Sequence, residues 1–544
     1  MLLLSSDRSG SPPPDQAPGL LFTDVTTATG IDFHHIHGGS GQRYLPETMG
    51  AGGCVLDFDG DGWMDLYLVQ SGPLPGYQGP SGGTNRLFRN TGNDTFADVT
   101  TRSGSGTAGY GQGAIAADYD GDGDTDLYVT NFGPNVLLRN NGDGTFTDVT
   151  VVAGIGDPSW STSAAFLDAD EDGDLDLYVV NYLDFSIATH RDCRRAQPAV
   201  SFYCHPDVYP MSADVFYRNN GDGTFTNATA AAGLTDTTGK GLGVVVLDFD
   251  NDTRPDIYVA NDSTPNFLYH NRGGGQFEEV GLVRGVAYND EGKTEAGMGV
   301  DAGDVNGDGW LDLFVTNLSM EANALYLGGP GTFTYATRTA GLYGPSLPVL
   351  GFGTHMLDVD HDGDLDLVVV NGDVLDNIEL FNDGLTWRQK GQVFLNDGTA
   401  RFTEVDGGRF PSFATPRVGR GSMTLDFDND GHLDFLVSYN NDQARLFRHH
   451  GTSGHWLGLQ LIGAGHNTGA IGARVTVEAG HRSQVAEVKA GSSYLSSSDP
   501  RLHFGIGNAS EADRVRIRWP NGEIQVVEHL VAGRYHVVVQ TPVP

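Results

Sequence analysis

Residues 111–150 read GQGAIAADYDGDGDTDLYVTNFGPNVLLRNNGDGTFTDVT, and this stretch decides the fold. An apolar run, GAIAAD, leads into an acidic segment, and a second run, LYVTN, leaves it. VLLRN and TFTDVT follow, separated by a turn rich in Asn and Gly. Each run is short, and Asn, Asp and Gly are the residues that tight turns require. The stretch predicts four antiparallel strands, with the acidic loop joining the first two and a hairpin joining the last two.

The pattern D-x-D-x-D-G-x-x-D recurs from Asp57, Asp118, Asp168, Asp248, Asp304, Asp358 and Asp426, at an average interval of about 61 residues. Seven repeats of four short strands predict an all-β, seven-bladed β-propeller rather than a sandwich or a solenoid. The seventh loop has no fourth strand behind it, since the text after Arg448 becomes HHGTSGHWLGL. Phe22-Thr23-Asp24-Val25-Thr26 carries that strand's signature ahead of the first repeat. Residues 20–27 are therefore expected to complete the last blade and close the ring. Glycines also recur seven and five positions before the first Asp of six loops, as at Gly50 and Gly52, while the third blade has Ser161 and Ser163. Convergence of the inner strands on a crowded axis is the expected reason.

Calcium takes six to eight hard oxygens on a tightly turned loop. Positions 1, 3, 5 and 9 of the seven loops supply the candidate ligands. They are Asp57, Asp59, Asp61 and Asp65; Asp118, Asp120, Asp122 and Asp126; Asp168, Asp170, Asp172 and Asp176; and Asp248, Asp250, Asp252 and Asp256. The later loops add Asp304, Asn306, Asp308 and Asp312; Asp358, Asp360, Asp362 and Asp366; and Asp426, Asp428, Asp430 and Asp434. Position 6 is Gly in six loops; the fourth has Thr253 there, with Pro255 nearby. A single loop could be an Asp-rich turn without metal. Seven copies at fixed spacing hold 27 mutually repelling carboxylates, which predicts up to seven structural Ca2+.

The bulk numbers are consistent with this reading. A chain of 544 residues is expected to form two domains, and 77 glycines make it turn-dense. The net charge of −38 argues against nucleic acid or an anionic membrane as partner. No apolar run reaches the length of a membrane-spanning helix, and three cysteines exclude a disulfide-dense scaffold. Residues 1–19 read as a Pro-rich disordered leader without the basic region of a secretory signal. Over residues 451–544 the acidic repeat gives way to alternating segments such as ARVTVEAG, QVAEVKAG and RVRIRW, which predict a small all-β domain.

These motifs resemble known families. The acidic loops with their F-T-D-V-T strands resemble FG-GAP (VCBS) repeats, the type also found in the integrin α head. The tail resembles the ASPIC/UnbV domain, from Asn467 through GAIGARVTV, AGSSYLSSSDPRLHFGIG and VRIRWPNGE. Together, over residues 20–540, the chain is similar to the cartilage acidic protein family and its bacterial relatives. The resemblance implies a calcium-binding propeller, commonly secreted or at the cell surface, with roles in adhesion or matrix contact in animals. The UnbV name, from bacterial natural-product gene clusters, implies a biosynthetic role as the alternative. The leader's lack of a signal leaves a cytoplasmic location open.

The topology places the longest connections on the face opposite the acidic loops, where binding and catalysis concentrate. They are His34–Glu47, the loop after Val69, Tyr182–Ala213 and the loop after Asn371. Candidate residues there are His35, His37 and Glu47, weighed against a merely solvated loop. Cys193, Cys204 and His205 are candidates for a disulfide or a second metal site. Trp160, Lys240, Glu295 and Arg420 are expected at the axial mouth, with mutual neutralisation of Glu295 and Arg420 as the plainer reading. Cys54 is expected to be simply buried. The functional expectation is a monomeric, calcium-stabilised protein binding a protein, glycan or small molecule on the loop face. The alternative is an enzyme with its pocket or a second metal at the axial mouth.

Overall fold

Seven sheets of four antiparallel strands, the first extended by a fifth, parallel strand, are each built around one acidic loop. The first blade, for example, consists of Gly53–Leu56, Asp65–Leu68, Arg86–Asn90 and Phe96–Asp98. First strands of successive blades pack against one another in order, and that of the seventh packs on that of the first, so the sheets form a closed propeller. The computed structural model describes residues 19–80, 83–196, 199–235, 238–451 and 453–541. Apart from Gly19, the predicted leader lies outside these described residues.

Phe22–Asp24 is the outermost strand of the seventh blade, with Phe22 opposite His449 and Asp24 opposite Phe447. Apolar layers between neighbouring blades hold the ring together by burial. Blades four and five, for instance, share Val245, Leu247, Tyr258, Val300, Leu313 and Tyr326.

Two polar devices, which the sequence reading did not isolate, fix the blades. The ninth-position Asp of each loop is buried and staples its loop to the third strand. Asp126 accepts the backbone N–H groups of Tyr119 and Asn140 at 3.1 and 2.7 Å, and Asp366 those of Val359 and Asn396 at 2.8 and 2.7 Å. The Asn ending the third strand then bonds to the preceding blade. The amides of Asn140, Asn219, Asn271 and Asn396 donate to the carbonyls of Phe58, Tyr119, Ala169 and Val305 at 2.7–2.8 Å. Buried amides satisfied in this way fix the spacing between blades as well as adding stability.

The C-terminal segment forms two sheets. One pairs Leu502–Gly507, His455–Ile462 and Tyr535–Val539; the other contains Arg482–Glu487, Arg474–Ala479, Glu511–Arg518 and Ile524–Val531. It sits on the acidic-loop face. Arg518 bonds Asp248 at 2.7 Å, Arg482 bonds Asp364 at 2.6 Å, Arg474 donates to Gly309 O at 2.8 Å and Thr468 donates to Asp118 at 2.5 Å. One hydrophobic cluster runs from blades two and three into both C-terminal sheets.

From this domain a segment around Ser493–Ser497 enters the propeller axis. Ser493 and Val300 exchange backbone hydrogen bonds at 2.7 and 3.1 Å, and Ser496–Ser497 adds a parallel strand to the first blade. Here the structure departs from the expected reason for the axial glycines. A Cβ on Gly52 would lie 1.9 Å from the carbonyl oxygen of Leu495, and one on Gly113 would lie 2.8 Å from it. At these two positions glycine makes room for an inserted segment as well as for neighbouring strands.

Candidate functional site: a roofed apolar cavity opposite the acidic loops

The acidic loops share one geometry. The first Asp turns back to accept the amides of positions 5 and 6, as Asp57 does from Asp61 and Gly62 at 3.0 and 2.9 Å. The side chains at positions 1, 3 and 5 thereby converge. Asp57, Asp59 and Asp61 bring carboxylate oxygens within 4.8 Å of one another, as do Asp118, Asp120 and Asp122, and Asp168, Asp170 and Asp172. One oxygen of Asp120, Asp170, Asp250 and Asp428, all at position 3, is buried with no hydrogen-bond partner. Burial pushes the Asp168 carboxyl up to about 7, and that of Asp126 to about 9. Apart from the fourth loop, where His270 joins Asp250 and Asp252, an all-oxygen cage with unpartnered carboxylate oxygens fits a hard divalent cation. Loops one and seven also receive an arginine, since Arg89 bonds Asp59 and Asp61 and Arg448 bonds Asp428.

On the opposite face three insertions meet over the axis. His34–Glu47 comes from before the first blade, Tyr182–Ala213 from blade three, and the segment after Asn371 from blade six. Arg43 bonds Asp376 at 2.5 Å and stacks over the Tyr203 ring, 5.1 Å from its centroid. Asn377 donates to Ser201 O at 3.0 Å, and the rings of Phe202 and Phe381 pack edge to face at 5.3 Å. Beneath this roof lies a cavity of about 260 Å³. Its wall is mainly apolar, with Leu45, Met49, Phe202, Leu242, Met298, Leu318, Phe352, Val374 and Leu375. Few polar groups reach it. Asp262 accepts from Tyr182 Oη at 2.5 Å, and Asp373 accepts from Ser319 Oγ at 3.1 Å. Burial raises the Asp373 carboxyl above its ordinary value. Tyr494, carried through the axis by the C-terminal domain, packs on Phe352 at 4.8 Å and donates to Met49 O at 3.2 Å, behind two wall residues.

The structure places the sequence-predicted residues unevenly around this cavity. Cys193 and Cys204 are joined as a disulfide that ties the blade-three insertion, and Cys204 lines the cavity. With both sulfurs committed to each other, the second-metal reading of Cys193, Cys204 and His205 is withdrawn. His205 Nδ1 instead accepts the Asp207 amide at 3.3 Å, and Lys240 pairs with Asp207. Glu47 is buried at the edge of the roof, where it accepts Tyr203 Oη at 2.9 Å, and burial raises its carboxyl. The His37 ring lies beside it, near the Gly39 Cα, and burial holds its imidazole down at about 4.

Four other candidates are packing residues. His35 is fully buried, bonded to Ser71 Oγ at 2.9 Å and to the Asn441 amide at 3.1 Å. Trp160 lies in an aromatic cluster with Phe132, Tyr182 and Phe185 and donates to Gln112 at 3.1 Å, outside the cavity lining. Glu295 is held by the amides of Asn289 and Asn317 at 3.0 and 3.1 Å, with burial raising it to about 7. Arg420 is fully buried and bonded to the carbonyls of Thr48, Gly372, Gly419 and Asp373 at 2.6–3.2 Å, with its guanidinium 3.9 Å from the Phe352 ring centroid. Glu295 and Arg420 thus have separate partners and do not neutralise each other. Cys54 is free and buried, as expected. The sequence reading missed the apolar wall, whose only trace was the hydrophobic content of inserted segments such as SFYC and DVLDNIEL.

The chain belongs to the FG-GAP-like repeat family, whose pattern matches residues 57–129, 118–179, 206–259, 248–315 and 304–369, and it carries an ASPIC and UnbV domain over residues 463–543. Among named proteins it is similar to cartilage acidic protein 1. It is 28% identical to the Homo sapiens protein over 335 residues, 58% of this chain and 46% of that one. It is 27% identical to the Mus musculus protein, over 60% of this chain and 49% of that one. The chain therefore spans about half the length of the curated relatives it matches. Among solved structures, an Agrocybe aegerita lectin that recognises terminal N-acetylglucosamine aligns at a TM-score of 0.36 and 18% identity, covering 65% of this chain and 79% of that one.

Proposed function

We propose that this protein is a calcium-stabilised binding protein whose ligand enters the roofed cavity opposite the acidic loops. The observation that carries the reading is the cavity itself. Loops from three blades, one of them braced by a disulfide, enclose an apolar space with a few polar groups in fixed places, the usual form of a small-ligand site. The ligand would be a small, largely apolar molecule or an apolar side chain of a partner, carrying one hydrogen-bonding group for Asp262 or Asp373. Calcium would bind on the other face and act at a distance, by holding the blades that position the insertions. Four buried, unpartnered carboxylate oxygens support this assignment.

The test uses the neutral apolar dye Nile red. The intact protein should bind it with enhanced fluorescence. Leu375→Arg and Met298→Trp should each abolish binding, with calcium content and melting temperature unchanged. Equal dye binding by both variants and the wild type would overturn the cavity assignment.

A further inference from the structure

A group of four histidines lies at the seam between propeller and C-terminal domain, far from the cavity. His361 is the fourth residue of the sixth acidic loop and His432 the seventh residue of the seventh. His449 ends the third strand of blade seven, and His503 lies in the C-terminal strand Leu502–Gly507. Their ring centroids are 4.6 Å apart for His361 and His432, 5.1 Å for His361 and His503, 5.4 Å for His432 and His449, and 6.3 Å for His361 and His449. A metal–imidazole bond of about 2.0–2.1 Å puts each ring centroid about 3.2 Å from the ion, so two ligands of one ion have centroids about 4.5–6.3 Å apart. These four of the six pairs fall in that range, and the His361 and His432 rings, 10° from parallel, must turn about their Cβ–Cγ bonds for both lone pairs to meet one ion.

The ring nitrogens supply the second observation. Five of them are buried with no hydrogen-bond partner: both of His361, Nδ1 of His432, Nε2 of His449 and Nδ1 of His503. His361 is 0% exposed and His449 2%. Each unpartnered buried polar atom keeps the desolvation penalty of leaving water with no bond to offset it, so such a group is unstable as plain packing. His503 shows how one nitrogen is prepared. Its Nε2 faces Gly431 O at 2.7 Å, and a carbonyl can only accept, so Nε2 carries the proton and Nδ1 keeps a free lone pair. Donation of the outer N–H to a backbone carbonyl is the support that metal-bound imidazoles usually have. Trp456 stacks on the same ring at 5.5 Å. A cavity of about 340 Å³ bounded by His432, Gly454, His455 and Trp456 gives access from solvent.

We propose that His361, His432, His449 and His503 bind one first-row transition-metal ion of the imidazole-preferring class, Zn2+ or Cu2+, which ties two acidic loops to the C-terminal domain. The oxygen cages select hard cations and this nitrogen site selects borderline ones, so the two kinds of site are chemically distinct.

The experiment uses the full chain in excess Ca2+, which saturates the carboxylate loops. Titration with ZnCl2, followed by calorimetry, should show one equivalent bound. His361→Asn and His503→Gln should each weaken that binding by at least about tenfold, whereas His455→Gln, at the exposed neighbour, should leave it unchanged. Cu2+ loaded into the wild-type protein should give an electron paramagnetic resonance spectrum with hyperfine structure from several nitrogens, a readout that does not depend on the variants folding. Absence of stoichiometric Zn2+ binding, or an oxygen-dominated Cu2+ spectrum, or unchanged affinity in folded His361 and His503 variants, would overturn the proposal.

Discussion

The side-chain amide of Asn90 donates to the backbone carbonyl of Phe427 at 2.7 Å, joining the first blade to the seventh. It is the same bond that Asn140, Asn219, Asn271 and Asn396 make to their preceding blades, placed where the ring meets itself. The third strands of blades five and seven have Gly328 and His449 at the corresponding place.

Asn90→Ala removes this bond and leaves the buried Phe427 carbonyl without its donor. A loss of about 1–3 kcal/mol is expected, read as a lower melting temperature or denaturant midpoint. A variant as stable as the wild type would show that the amide contributes nothing to closure.

Closure also rests on Phe22–Asp24. Removal of residues 1–19 should leave melting unchanged, whereas removal of residues 1–27 exposes the edge of Arg445–His449 and should cause destabilisation or aggregation. Light scattering and melting curves separate the two truncations, and identical behaviour would contradict a closing role for the strand.

The same strand should respond to acid. Burial alone would raise the Asp24 carboxyl, but hydrogen bonds from Thr26 and Arg445 outweigh it and hold the group below its ordinary 3.8. A depressed carboxyl stabilises the fold above its unfolded value, and this contribution is lost as pH falls through the folded one. The stability gap between wild type and Asp24→Asn should therefore be full at pH 6 and shrink below about pH 4. A gap that stays constant down to pH 2.5 would remove the ion pair from the account.

Metal removal tests the acidic loops. Chelation with EGTA should lower the melting temperature, and added Ca2+ should restore it. Each site that binds Ca2+ would contribute about 2.7 kcal/mol when free Ca2+ is a hundredfold above its Kd. A melting temperature unchanged after verified removal would leave the loops as metal-free turns.

Tyr494→Ala tests the inserted segment. The ring is 0% exposed and packs on Phe352, so its loss should be destabilising by about 3–5 kcal/mol. Nile red binding on the opposite face should weaken as well, because the wall loses its backing. Unaltered binding in a folded variant would separate the C-terminal domain from the cavity.

Residues that carry their meaning locally were readable in the sequence. The loop from Asp118 to Asp126 announces itself by spacing, and Phe22-Thr23-Asp24 announces the closing strand by matching the fourth strands elsewhere. What could not be read depends on contacts between remote segments. AGSSYLSSSDP looks like a Ser-rich turn until Leu495 is found against Gly52, more than 400 residues away. Arg420 looks like a charge at a pore until four carbonyls are found around it. His361, His432, His449 and His503 sit on separate elements, so no spacing connects them. The cavity wall is read from inserted segments with no periodicity to mark them as core.

The axial segment also constrains the order of assembly. Ser493–Ser497 leaves the ribosome after all seven acidic loops, yet it occupies the middle of the ring they form. A finished ring would have to admit a peptide bearing a tyrosine through its centre. The simpler route is for the blades to remain ajar until that peptide arrives and then to shut around it, as barrel staves are drawn up around a post. Biogenesis would then hold the propeller as an open arc until residues 493–497 have been made, with the seam between blades one and seven the last to join.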